Sequence, residues 1–233
     1  SADCRATLSA LQALGVRIEQ PDAGTVVVHG VGGTGLRASS TSLDLGNAGT
    51  AMRLFMGLLC GQDFASTLVG DASLMNRPME RVATPLRLMG ARIDTHEGRP
   101  PVTLQGGAPL TGIDYQLPMA SAQVKSAILL AALRARGVTR ITEPAPTRDH
   151  TERMLTHMGA MVTRRGATVE MAGGQRLHGG SIRVPGDFSS AAFFIVAGCL
   201  AAAGGLTVRG VGVNPTRTGL LDALRLMGAR ITV

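Results

Sequence analysis

One eight-residue pattern occurs four times along this 233-residue chain and restricts its fold more than any other feature. The copies run from Leu11 to Ile18, Leu86 to Ile93, Leu155 to Val162 and Leu224 to Ile231, with glycine at positions 15, 90, 159 and 228. Two of them share the string Leu-Arg-Leu-Met-Gly-Ala-Arg-Ile. Each copy reads as the last turn of an amphipathic helix, stopped by a glycine free to take the left-handed conformation, then a β-rich stretch. A period of about 70 residues marks a repeat architecture.

Two further elements recur between the glycine stops. An extended stretch leads through small polar residues into an Ala/Leu-rich helix at Leu43–Arg53, Leu117–Ser126 and Val184–Ser190. A strand runs into a turn and a second helix start at Ser66–Leu74, Val138–Thr147 and Leu206–Asn214. Asn214-Pro215 predicts a cap with proline at the first helical position, and Asp149 to Glu152 predicts a capping box. The repeating unit is therefore α/β, ordered strand, helix, strand, helix, strand, strand. About three units are expected, preceded by the tail of an earlier one. Ser1 falls inside a helical pattern and Val233 inside closing strands, so both ends are expected to be cut points in a longer array.

Composition narrows the function. Net charge is +7, which suits nucleic acid, anionic membrane or anionic metabolites. Aromatic residues make up 3%, too few for base-stacking platforms, and basic residues are scattered singly, so small anions are favoured over nucleic acid. Hydrophobic residues at 45% predict a core of Ala, Val, Leu, Ile and Met. The longest apolar run, residues 191–203, is too short to span a bilayer. No secretory signal pattern is visible. Cys4, Cys60 and Cys199 lack metal-ligand spacing and read as reduced core cysteines of a cytoplasmic protein. The histidines form no metal motif, so neither metal nor cofactor is expected.

Candidate binding residues follow from the helix starts. Free N–H groups and the positive dipole end make a helix N-terminus an anion site, and small residues let a ligand approach the backbone. Simple capping explains any single Ser or Asn, but equivalent starts at Asn47/Gly49, Ser121 and Ser189 argue for more. Arg77 and Arg148 occupy the same turn in successive units and suit bidentate grip on phosphate or carboxylate. Arg53 is read as an internal brace. Lys125, the only lysine, is read as a surface or salt-bridge residue rather than a ligand group.

Several of these stretches resemble the EPSP synthase (3-phosphoshikimate 1-carboxyvinyltransferase) family. Leu45-Gly-Asn-Ala-Gly-Thr-Ala-Met-Arg53 is similar to its enolpyruvyl-transferase signature, and Met75-Asn-Arg-Pro-Met79 to its second-substrate arginine motif. Ser121 to Ser126 resembles its Ser-x-Gln motif, and Pro146 to Glu152 and Asn214 to Gly219 are similar to forms found in bacterial members. The resemblance implies two domains, each of three βαβαββ units around a pseudo-threefold axis. Residues 1–179 would be most of one domain and 180–233 the first unit of the other.

It also implies transfer of the enolpyruvyl group of phosphoenolpyruvate to the 5-hydroxyl of 3-phosphoshikimate, a step towards chorismate and the aromatic amino acids. By resemblance, Gly49 and Arg77 meet phosphoenolpyruvate, and Asn47 shapes their loop. Ser121 and Ala122 meet the shikimate phosphate, Gln123 sits between the substrates, and Arg148 touches 3-phosphoshikimate. The family's Lys-Ser start and its acid/base Asp, Glu and Lys have no counterpart in this sequence. No catalytic residue is therefore assigned, the remainder of a longer chain is an expected partner, and no turnover is expected of this chain alone. Gly49 matches members sensitive to glyphosate, while Leu54 stands where many have Pro. A UDP-N-acetylglucosamine enolpyruvyl transferase would carry a reactive loop cysteine, which is not seen. A non-catalytic anion-binding module remains a further reading.

Overall fold

The computed structural model describes residues 1–202 and 204–233, which separate into two compact units. The first comprises residues 1–145 and 150–179, the second residues 146–149 and 180–233.

In the first unit, helix α1 (Ala2–Ala13) leads into a hairpin of β1 (Arg17–Asp22) and β2 (Thr25–His29). Two βαβαββ repeats follow. The first contains β3 (Leu43–Asp44), α2 (Gly49–Leu59), β4 (Ser66–Val69), α3 (Ala72–Met75), α4 (Glu80–Leu88), β5 (Arg92–His96) and β6 (Arg99–Gln105). The second contains β7 (Asp114–Gln116), α5 (Ala122–Ala132), β8 (Val138–Thr142), α6 (His150–His157), β9 (Val162–Arg165) and β10 (Thr168–Ala172). The sheets share one plan, β3-β4-β6-β5 and β7-β8-β10-β9. In each, the first pair is parallel and the other two are antiparallel. A parallel pair needs a crossover, which α2 and α5 supply.

The glycine stops behave as their chemistry requires. Gly15, Gly90, Gly159 and Gly228 have φ of 86°, 103°, 94° and 94°. At each, the glycine N–H reaches back three residues and the next N–H reaches back five, as in Gly90 to Arg87 and Ala91 to Leu86. This is the Schellman closure, which satisfies carbonyls the helix end would leave bare.

The core lies between the crossover helices and their sheets. Met52, Phe55, Met56 and Leu59 of α2 are buried, as are Val124, Ala127, Ile128 and Leu129 of α5. Each large side chain buried this way stabilises by roughly 1.5–3 kcal/mol. The two helices touch backbone to backbone at Gly57, where any Cβ would collide with the Ala127 carbonyl.

The second unit carries α7 (Phe188–Ala201) and α8 (Gly219–Leu226), with a single parallel bridge, Gly186 to Val211, where its first strand pair is expected. Among the described residues it has no longer strand. Asp187 caps α7, accepting from the Ser189 and Ser190 N–H groups. The expected cap at Asn214 is not formed. Its Oδ1 instead accepts from Thr216 N and Oγ1, closing a side-chain turn, and α8 begins only after Thr218. Asparagine competes well for its own local backbone, and here that turn wins over the cap. The cysteines also depart from expectation: only Cys60 is buried, whereas Cys4 and Cys199 are exposed. No helix among the described residues is long and apolar enough to cross a membrane.

Candidate functional site

The loop between β3 and α2 is built so that its backbone opens at a helix start. Gly46 has φ 53°, and its N–H is held by Asp44 Oδ1 at 2.8 Å. Gly49 is the first residue of α2, and its cap, Ala48, has no polar side chain and forms no side-chain capping bond.

Two arginines converge there. A Cβ placed on Gly49 would lie 2.8 Å from Arg77 Nη1 and 3.4 Å from Arg53 Nη1. Both guanidinium groups bind neutral amides. Arg77 Nη2 donates to Asn47 Oδ1, and Arg53 Nη1 donates to Gln123 Oε1 at 2.7 Å. Neither forms an ion pair with a carboxylate among the described residues. Burial, then the like charges of Arg81 and Arg77, hold the Arg53 guanidinium below its ordinary pKa.

Asn47 is fixed from its other side. Its Nδ2 donates to both carboxylate oxygens of Asp71, at 2.8 and 3.1 Å. Asp71 also caps the short helix α3, accepting from Leu74 N at 2.8 Å. The bond from Asn47, then that from Leu74, and in smaller measure Arg77, hold the Asp71 carboxyl below its usual pKa.

The second helix start lies alongside. Ser121 caps α5, its Oγ accepting from Val124 N at 3.4 Å, and Ala122 opens the helix. From the next position Gln123 Nε2 donates to Thr50 Oγ1 on α2 at 2.7 Å. The N-termini of α2 and α5 are thus tied side by side.

Of the residues selected from sequence, Asn47, Gly49, Arg77 and Gln123 form one connected cluster, with Ser121 and Ala122 on the turn that carries Gln123. Arg148 belongs to the second unit, where it is exposed. The sequence reading overlooked Asp71 and Thr50. An Asp followed by a short Ala-Ser-Leu-Met helix is a local capping signal that marks Asp71, whereas Thr50 gains its role only from α5. No cluster of metal-ligating side chains exists among the described residues. The geometry offers two helix starts, two guanidinium groups that form no carboxylate ion pair among the described residues, and oriented carboxamide and hydroxyl groups, which is the equipment for a carboxylate or phosphate ligand.

Comparison with known proteins gives this arrangement a family. The model of the EPSP synthase (3-phosphoshikimate 1-carboxyvinyltransferase) family matches residues 1–233. The 3-phosphoshikimate 1-carboxyvinyltransferase of Alkalilimnicola ehrlichii is 59% identical over 100% of this chain and 52% of its own length. That of Halorhodospira halophila is 58% identical over the same shares. A solved EPSP synthase structure from Acinetobacter baumannii superposes with a TM-score of 0.91 at 52% identity, over 100% of this chain and 53% of the other. The chain spans about half the length of the curated relatives it matches. With the repeated βαβαββ plan, the two tied helix starts and the family match over residues 1–233 together, the chain belongs to the EPSP synthase family.

Proposed function

We propose that this chain supplies part of the substrate cleft of an enzyme that transfers the enolpyruvyl group of phosphoenolpyruvate to the 5-hydroxyl of 3-phosphoshikimate. One observation carries the reading: two guanidinium groups that form no carboxylate ion pair among the described residues converge on the glycine that opens α2, beside the start of α5. Gly49, Arg77 and Asn47 would receive the phosphoenolpyruvate anion. Ser121 and Ala122 would bind the phosphate of 3-phosphoshikimate through the α5 amides, with Gln123 between the substrates and Arg148 as a further shikimate contact. Residues 1–179 are read as most of one three-unit domain and 180–233 as the first unit of the other, which the division after Gly179 supports. A cytoplasmic setting suits the free thiols, and no nucleic-acid or membrane partner is proposed.

Calorimetric titration of the chain with phosphoenolpyruvate and with 3-phosphoshikimate tests the reading. Binding that weakens by about tenfold in Arg77→Ala is expected from loss of a charge-assisted contact. Absence of any binding, or a variant that binds like the parent, overturns it. A phosphate-release assay addresses turnover. The acid/base groups implied by the family resemblance are not found in this sequence, so release at the no-enzyme rate is expected.

A further inference from the structure

Arg53 is given no task by the reading above, although it is the most buried arginine of the cluster at 6% exposed. Its Nη1 donates to Gln123 Oε1, its Nη2 lies 3.5 Å from the Pro78 carbonyl, and its buried Nε has no hydrogen-bond partner among the described residues. A guanidinium can only donate, so the Gln123 atom facing it must be the oxygen. The carboxamide nitrogen is then turned towards Thr50, whose Oγ1 accepts at 2.7 Å. A hydroxyl that has accepted still has its own proton to give. Thr50 is exposed at the second residue of α2, next to Gly49. The donors therefore run one way, from Arg53 through Gln123 and Thr50 to the helix start.

We propose that Arg53 is a positioning residue that locks the Gln123 carboxamide with Nε2 outward, so that Thr50 presents its hydroxyl proton to a carboxylate or phosphate at the α2 N-terminus. This rests on the anion-binding reading of the same site. The arrangement has a signature that a purely structural arginine lacks. A buried charge with no counter-ion is costly in the empty protein and is compensated when an anion arrives. Removing it should leave the unliganded fold as stable as before or more so, while weakening the ligand.

The test uses the 233-residue chain, phosphoenolpyruvate as probe, and nitrogen-15 NMR of the Gln123 side-chain amide. In Arg53→Met, the Gln123 amide pair should move to the position of a free glutamine. Affinity for phosphoenolpyruvate should fall about tenfold with no drop in the thermal midpoint of the empty protein. Thr50→Val should leave the Gln123 oxygen anchored on Arg53 and lower affinity about threefold. Arg53→Lys should recover part of the affinity. Unmoved Gln123 resonances in a folded Arg53→Met, or affinity within about twofold of the parent, overturn the proposal. If Arg53→Met does not fold, Thr50→Val decides, and parent-like affinity there overturns it. A parent chain that binds no phosphoenolpyruvate sinks the function reading, while the Gln123 resonances still decide the positioning role.

Discussion

Lys125 Nζ lies 3.0 Å from Glu143 Oε2, and neither side chain has any exposed surface. Glu152 Oε1 sits 2.7 Å from the same ammonium, outside hydrogen-bond geometry, and Arg164 Nη1 reaches Glu143 Oε2 at 3.2 Å. The chain's only lysine is thus an internal tie joining α5, the end of β8 and α6. Of the two roles read from sequence, the salt bridge holds and the surface position does not. Lys125→Met would remove the ammonium that Glu143 and Glu152 share, leaving Arg164 against Glu143 and the buried Glu152 carboxylate without its cation. Breaking one partner of a buried pair costs about 3–5 kcal/mol. Urea unfolding should show a loss of that size, and a change below about 1 kcal/mol would mean that water reaches the cluster.

Gly57→Ala is expected to destabilise by more than its better helix propensity returns. Propensity favours alanine by about 1 kcal/mol. The new methyl, however, meets the Ala127 backbone carbonyl, which cannot swing away. Overpacking of this kind costs about 1–3 kcal/mol or more. A lower urea midpoint with an unchanged slope is the expected result.

Gly49→Ala should behave oppositely. Its methyl meets the far end of Arg77, 2.8 Å away, and that side chain can move. Stability should stay within about 1 kcal/mol of the parent. Phosphoenolpyruvate affinity should fall several-fold, because the guanidinium is displaced from the helix start. Calorimetry of the two glycine variants side by side separates the packing contact from the ligand contact.

Burial pushes the Cys60 thiol up to about 12, while Cys4 and Cys199 are exposed. The thiolate is the reactive form. A disulfide reagent at pH 8 should therefore modify Cys4 and Cys199 in the folded chain, and Cys60 only after denaturant is added. Prompt modification of all three thiols would show that α2 opens readily.

The Asp71 carboxyl titrates below its ordinary 3.8 because it accepts from Asn47 and Leu74. A depressed folded-state value means that its contribution is fully present above the unfolded pKa and is lost as pH falls through the folded one. Stability attributable to Asp71 should be constant from neutral pH down to about 5, decline progressively below about 4, and be gone only once pH is below the depressed folded-state value. In acid unfolding, Asp71→Asn should lack this part of the pH dependence. An identical profile would remove Asp71 as the anchor of Asn47.

Features written in local chemistry were legible in the sequence. The helix stops needed only a glycine and the two N–H groups that follow it, so all four closures were predictable. Gly49, Ser121 and Arg77 could be selected because helix starts and proline-flanked turns are local too, whereas Gln123 was marked only by the family resemblance. Lys125 could not be placed, because its carboxylates come from β8 and α6 and nothing near position 125 announces them. Asn214 misled for the reverse reason: asparagine serves a cap and a side-chain turn equally well, and no nearby residue decides between them. The pairing of Arg53 with Gln123 spans 70 positions and exists only once α2 and α5 lie together.

That contact of α2 with α5 also sets how the first unit comes apart. In a linear repeat array each module leans on its neighbours and the ends can fray alone. Here the two sheets are separate, yet the helices that serve them meet at Gly57 and Ala127 and share one interior. A protease cut in the connector, residues 106–113, would yield halves each missing one wall of that interior. They should behave as complementing partners that refold only in each other's presence.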